Sequence, residues 1–369
     1  MKKGKLWKRI VKYILIMALF VFSFWYLFKD IDIPKIRHGV KDLSPIFLTL
    51  AFVMVFAQIF IQGLCYIVMG RGLGVKLNPF NAYGYVSVDL FFSQLTPFAV
   101  GGQPMMVYEM KRKGEIEVAK TTPMVLLYSF MNKFALIIMA ILAAIFYFND
   151  FFKDQDSTIM VALIIFGVIS NIIIASFSLA LMVMGNVVYK VGVRLIFWLY
   201  NHNLIKKPYS KAYSLKKMVR NYKGSSRYFK KHIPTVFIVF FLCVLKRIAT
   251  FAIAYFIYKG LGLSGHSFIY IIACQTVYAL ISDSFPIPGG IGAAEISIKK
   301  LYSGIYESSG DAVADLAALL VRGISYYGLI LVSGIATIIV MTTKKKTMKE
   351  EIENEECIEK NTECSSEAL

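Results

Sequence analysis

The sequence predicts an all-α polytopic membrane protein: about six spanning helices plus two re-entrant, broken helical segments, arranged as an inverted internal repeat. Three observations lead there: long apolar runs, the placement of Lys and Arg between them, and a self-similarity at a fixed offset. Of 369 residues, 57% are hydrophobic and only 17% charged, below the roughly 25% charged residues of soluble domains.

The elements follow in order. Ile10–Phe28 comes after the basic start MKKGKLWKR, as in a signal peptide. It lacks a small-residue cleavage site and runs into Trp25 and Tyr26, which suit a membrane interface, so it reads as a retained span. Ile46–Met69, Pro123–Phe148, Ile159–Gly185, Pro234–Tyr258 and Ala312–Met341 each reach the roughly 20 residues that a spanning helix needs.

Basic residues set the orientation, because Lys and Arg favour cytoplasmic loops. Six precede Tyr13, and twelve lie between Lys190 and Lys231 in a basic segment, 186–233, that reads as cytoplasmic. No Asp or Glu occurs from Ser157 to Ser282, whereas NDFFKDQD, after the Pro123–Phe148 run, is acidic and reads as external. If Phe80–Val100 and Phe268–Phe285 were ordinary spans, KRKGEIEVAK and the twelve-cation segment would both lie outside. Making both re-entrant puts every strongly basic segment inside, with both termini cytoplasmic. The first external loop, Lys29 to Ser44, keeps four basic residues against this trend.

A shift of 188 residues superposes Ile46–Met69 on Pro234–Ile257 and Pro123–Phe148 on Asp311–Ala336. The same shift places Gly101-Gly102 on Gly289-Gly290 and Lys111-Arg112 on Lys299-Lys300, with Lys133 one residue from Arg322. The two units, about 46–148 and 234–341, start an odd number of crossings apart and are therefore inverted. Inverted repeats whose broken elements meet near the bilayer midplane are a transporter architecture. In PIPGGIG and AAEISIKKLY one half-helix would end and another begin, its N-terminus suited to a phosphate or carboxylate. Irregular backbone at that depth needs protein or a cavity around it. The membrane domain thus covers 1–343, and the acidic tail 344–369 has the composition of a disordered segment.

LTPFAVGGQPMMVYEMKRKG (Leu95–Gly114), PIPGGIGAAE and LLVRGISYY (Leu319–Tyr327) resemble the lysylphosphatidylglycerol synthase transmembrane-region family, also described as flippase-like. The similarity covers residues 8 to 341. It implies an integral membrane protein that moves aminoacylated phospholipid, or another lipid-linked anion, between leaflets, and the plasma membrane is the expected location. Such a protein would draw on a separate lipid-synthesising enzyme, because the soluble aminoacyl-transferase domain of bifunctional members is absent from this sequence. By position, Pro288, Gly289, Gly290, Gly292, Glu295 and Arg322 match the family pattern, as do Gly102, Lys111 and Arg112. Many relatives carry Glu directly after the first-motif glycine and Arg three residues later, where this chain has Gln103 and Met106.

Charges at membrane depth cost roughly 2.5–3.5 kcal/mol on insertion scales, which makes them candidates for function. Lys133, Lys246, Arg247 and Arg322 sit inside predicted spans. Lys133 and Arg322 either contact an anionic headgroup from equivalent positions or pair structurally with Asp89, Asp283 or Glu295. Asp89 and Asp283 are the ion-pair candidates. Glu295 either caps its half-helix or takes part in substrate or proton coupling. Gly101, Gly102 and Gln103 join the substrate-binding candidates.

The five cysteines and four histidines form no CxxC, HExxH or comparable spacing, so neither a metal site, a cofactor nor a disulfide framework is expected. A formal charge of +18 points to anionic membrane lipids rather than nucleic acid. With no ATP-binding motif, a translocator would run on an ion gradient or on lipid concentration differences. Two other functions fit the sequence. One is a lipid-dependent glycosyltransferase holding a metal at DID (Asp30–Asp32) or DQD (Asp154–Asp156). The other is an accessory subunit that binds lipid without moving it.

Overall fold

The computed structural model of the protein describes residues 43–96, 101–114, 116–152, 158–201, 227–285 and 311–343, with 216, 219, 297, 301, 305 and 306. The described secondary structure is helical. Five helices are long and apolar enough to cross a membrane: Pro45–Gly72, Val118–Tyr147, Met160–Val183, Ile233–Gly260 and Val313–Thr342. These correspond to five of the six predicted spans; the first, Ile10–Phe28, lies outside the described residues.

Helix α1 (Pro45–Gly72) opens with proline in its first turn, where the missing N–H costs nothing. It closes at Leu73, and Gly74 then takes φ 68° in the left-handed region that glycine tolerates. Helices α2 (Pro79–Leu95) and α3 (Gly102–Gly114) follow, then α4 (Val118–Phe152), α5 (Thr158–Val183) and α6 (Gly185–Asn201). Next come α7 (Ile233–Gly260), α8 (Phe268–Ser282) and α9 (Asp311–Arg322). A π-helical turn, Gly323–Gly328, joins α9 to α10 (Leu329–Thr342).

The backbone pairs α1 with α7 along their whole length, antiparallel. Ser44 N–H donates to the Gly260 carbonyl at one end (3.0 Å), and Tyr228, just before α7, packs on Gly72 at the other. Midway, Thr250 Oγ1 donates to Gln58 Oε1 (2.9 Å). Both helices have 28 residues, and α7 begins and ends 188 positions after α1. The exit turn repeats as well: Gly262 has φ 78°, and it stands 188 positions after Gly74. The sequence offset thus has a structural counterpart in this antiparallel pair and its turns. The second Gly-Gly motif, on which the rest of the alignment depends, lies outside the described residues.

At 17 and 15 residues, α2 and α8 span only about 25 and 22 Å, short of a hydrocarbon core of about 30 Å. Each starts on a polar cap: Asn78 accepts from Phe80 N–H, and Ser267 from Tyr270 N–H. The first re-entrant segment is described on both legs. A side chain at Gly84, near the start of α2, would meet Val340 Cγ2 at 2.7 Å, and Arg112, at the end of α3, donates to the Val340 and Met341 carbonyls. Both legs therefore reach the same end of α10, and the chain leaves on the side from which it entered. At the opposite end of α2, Tyr326 Oη donates to the Gln94 carbonyl (3.0 Å).

Packing is inverted relative to a soluble protein in the way a lipid solvent requires. Large apolar side chains face outward, among them Phe56 and Phe60 on α1, Ile165, Ile169, Ile173 and Phe177 on α5, and Phe237 and Phe241 on α7. The interior between α1, α4 and α7 is filled by Tyr66, Met69, Met124, Cys65, Cys243, Ile253 and Ile257. Buried polar groups stand among them, and these form the site.

Candidate functional site

Three polar residues recur at four-residue spacing on α1, so Gln58, Gln62 and Tyr66 share one helix face. That face meets Thr250 of α7 and Asp89 in the middle of α2. The result is two carboxylates at membrane depth in opposite environments.

Asp283 sits at the C-cap of α8, the negative end of a helix dipole and a poor place for an anion. Two cations offset this. Lys133 Nζ from α4 and Arg247 Nη2 from α7 each lie 3.0 Å from Asp283 Oδ2. The α8 terminus is held by an amide staple from α5: Asn171 Nδ2 donates to the Gly167 and Leu280 carbonyls and to Ser284 Oγ. Gly167 permits this approach, since a Cβ there would fall 2.8 Å from the Leu280 carbonyl oxygen.

Asp89, 4% exposed, is held by neutral donors. Gln62 Nε2 donates to Oδ2 (2.8 Å) and Ser93 Oγ to Oδ1 (3.3 Å). Among the described residues no cation stands within 4.0 Å of it; Lys246 lies within electrostatic reach. Gly102, the first residue of α3, packs directly on Asp89: a Cβ there would overlap the Asp89 carbonyl oxygen and Ser93 Oγ and stand 2.6 Å from Oδ1. The N-terminus of α3 therefore faces the carboxylate. Gly101 N–H donates to Thr96 Oγ1 (2.9 Å). Nearby, the Tyr66 and Tyr128 rings pack at 5.3 Å, and their buried hydroxyls and Gln62 Oε1 find no hydrogen-bond partner among the described residues.

Lys246, half-buried, lies within electrostatic reach of both carboxylates, and its ammonium makes no ion pair within 4.0 Å among the described residues. Arg322 is buried, with its guanidinium carbon 6.0 Å from the Tyr326 ring centroid. Lys133, one residue from Arg322 in the sequence offset, pairs with Asp283, and Arg322 has the Tyr326 ring among its neighbours. The π turn begins directly after Arg322, a local widening often found at functional positions.

The remaining predicted residues lie elsewhere. Gln103 is partly exposed in the first turn of α3, and Lys111 is exposed in its last. Arg112 is built into the scaffold. Its Nε and Nη2 both reach Glu109 Oε2, at 2.8 and 2.7 Å, while Nη2 also caps the end of α10. Burial holds the Lys113 ammonium below the usual lysine range, and the adjacent Arg112 charge acts in the same direction. Pro288, Gly289, Gly290 and Glu295 lie outside the described residues.

Sequence reasoning passed over Gln58, Gln62 and Asn171, although isolated amides in apolar runs were there to be read. Among the described residues, no three His, Cys, Asp or Glu side chains converge as a metal site.

Replacing Arg112 by Gln leaves Glu109, 1% exposed, without its cation. We expect a loss of about 2 kcal/mol, the scale of an unsatisfied buried acceptor. Thermal unfolding of the purified protein checks this, and Glu109→Gln in the same chain should recover part of the loss; additive losses would show that the pair is not coupled.

Residues 10–333 match the family described as lysylphosphatidylglycerol synthase TM region, a stretch that contains α1 through the π turn and the start of α10. The chain belongs to that family. It is also similar to a UPF0104 membrane protein of Methanothermobacter thermautotrophicus, 24% identical over 318 residues, or 82% of this chain and 88% of that protein. No solved structure matches it. The family match is to a membrane region, in agreement with the multi-pass architecture, and it takes in the Asp89, Lys246, Asp283 and Arg322 positions together.

Proposed function

We propose that this member of the lysylphosphatidylglycerol synthase transmembrane-region family is a lipid translocator of the plasma membrane, with both termini cytoplasmic. It moves an anionic or aminoacylated phospholipid, or a lipid-linked intermediate, between leaflets, and a separate enzyme makes that lipid. It acts as a carrier rather than as a catalyst of covalent chemistry. The observation that supports this reading is a charge excess at membrane depth. Among the described residues four cations, Lys133, Lys246, Arg247 and Arg322, stand against two carboxylates, Asp89 and Asp283.

Asp283 engages Lys133 and Arg247, whereas the Lys246 ammonium makes no ion pair within 4.0 Å among the described residues and can receive a phosphate oxygen. A lysine binds phosphate as a point charge and needs no fixed geometry, which suits a ligand that must also leave. Acyl chains would remain in the bilayer against the apolar outer faces of the helices while the headgroup crosses the polar interior.

Proteoliposomes containing fluorescent phosphatidylglycerol, with its outer-leaflet fraction measured by an impermeant quencher, test the proposal. Wild-type protein should accelerate exchange between leaflets, and Lys246→Gln should slow it about tenfold with unchanged thermal stability. A factor of ten corresponds to the loss of about 1.4 kcal/mol of headgroup interaction. Equal exchange with and without protein overturns the reading, and lipid binding without exchange would indicate an accessory subunit.

A further inference from the structure

We propose that Asp89 is a reversible proton-binding site whose occupancy is read by the α2–α3 hairpin. This goes beyond lipid movement and does not depend on it, since its readouts are proton occupancy and helix stability.

The two intramembrane carboxylates differ in what surrounds them. Asp283 is committed to the ionised form by two direct cations. Asp89 has hydrogen bonds that serve either form. As a carboxylate it accepts from Gln62 Nε2 and Ser93 Oγ. When a proton bonds to Oδ1, the new O–H can donate to Ser93 Oγ along the same 3.3 Å line, while Oδ2 still accepts from Gln62. The serine hydroxyl then turns its own hydrogen away, because hydroxyls both donate and accept. No other bond forms or breaks. Gln62 Oε1 and the Tyr66 hydroxyl, buried and unpartnered among the described residues, mark unfilled polar capacity beside the carboxylate, where water can deliver the proton.

The charged and titratable groups around Asp89 come from every packed element. Tyr66 belongs to α1, Tyr128 to α4 and Lys246 to α7. On α3, Glu109 and Arg112 pair with each other at the far end, and α10 carries no titratable side chain. On α2 itself Tyr83 and Tyr85 lie one to two turns away, while Arg322 and Tyr326 stand at its distal end. Lys246 is thus the one nearby cation among the described residues, and an anion bound to it would make protonation of Asp89 easier.

The coupling is built from Gly102. Its position on Asp89 Oδ1 brings the positive end of the α3 dipole against the carboxylate. Removing the negative charge removes that attraction, so protonation loosens the start of α3.

Difference infrared spectroscopy of the full chain in nanodiscs, titrated through neutral pH, follows the protonated carboxyl band. The band should appear on acidification in wild type, be absent from Asp89→Asn, and shift in midpoint in Ser93→Ala. Hydrogen exchange across Gly102–Gly114, corrected for intrinsic rates, should show about three- to tenfold lower protection at acid pH in wild type, and the same low protection at all pH in Asp89→Asn. A band that persists in Asp89→Asn, or that never titrates in wild type, overturns the proton site. Identical protection of α3 in wild type and Asp89→Asn at neutral pH overturns the coupling. An unchanged midpoint in Ser93→Ala removes the two-way hydrogen bond and decides the matter even if Asp89→Asn fails to fold.

Discussion

Replacing Asp283 by Asn should destabilise the protein by about 3 kcal/mol, the lower end of the cost of removing one partner from a buried ion pair. The lower end applies because the Asp283 side chain is 33% exposed, whereas Lys133 and Arg247 are 15% and 7%. The effect is large because one carboxylate oxygen serves two cations. Without it, both stand uncompensated between α4 and α7 and repel each other. Asparagine keeps the shape and can still hydrogen-bond, so the loss isolates the charge. Thermal unfolding in detergent and in nanodiscs measures it. Adding Lys133→Met and Arg247→Met should recover much of the stability, since well-packed apolar groups often replace a buried charge cluster without loss. An unchanged midpoint for the single variant would show that the cations find other counterions.

The second large effect is expected at Gly102. An alanine there would drive its methyl group into the Asp89 backbone carbonyl, which belongs to a helix and cannot rotate aside. Separating the hairpin legs to make room should cost about 1–3 kcal/mol, the range for overpacking a filled interior. Gly323 provides the control. It also lies in a helical segment, but no described residue stands within 4 Å of a Cβ built there, so Gly323→Ala should be neutral or gain up to about 1 kcal/mol from helix propensity. Parallel unfolding curves for the two alanine variants distinguish close approach from a general intolerance of substitution; equal stabilities would contradict the packing seen at Gly102.

Most of the membrane architecture was legible because bilayer thickness translates directly into run length. The spans at α1, α4, α5, α7 and α9–α10 follow from hydropathy alone. The short α2 and α8 needed the charge argument: only a segment that turns back lets KRKGEIEVAK remain on the same side as the other basic stretches. The contacts of Gly84 and Arg112 with the end of α10 show that return for the first of them. Pairings across the chain were less legible. Asp283 was read as an ion-pair candidate, but its sharing between Lys133 and Arg247 depends on three helices converging. Asp89 was expected to meet a cation and instead meets Gln62 and Ser93. Arg112 was grouped with substrate-binding residues, yet it closes a helix more than two hundred positions later in sequence. Periodicity reports which face a residue occupies, but not which partner that face will find. The kink at Tyr147 and the π turn had no local sequence cue, since neither contains proline.

The attachment of both hairpin legs to one end of α10 makes α2 a lever with its fulcrum near Val340. Its free arm carries Asp89 and ends at the Tyr326–Gln94 hydrogen bond, the latch at the tip. Over the roughly 15 Å from Gly84 to Gln94, a tilt of about 8° moves that tip by roughly 2 Å, enough to break the latch. Hinged at one end of α10 in this way, α2 has its largest excursion at the Gln94 tip and its smallest beside Gly84.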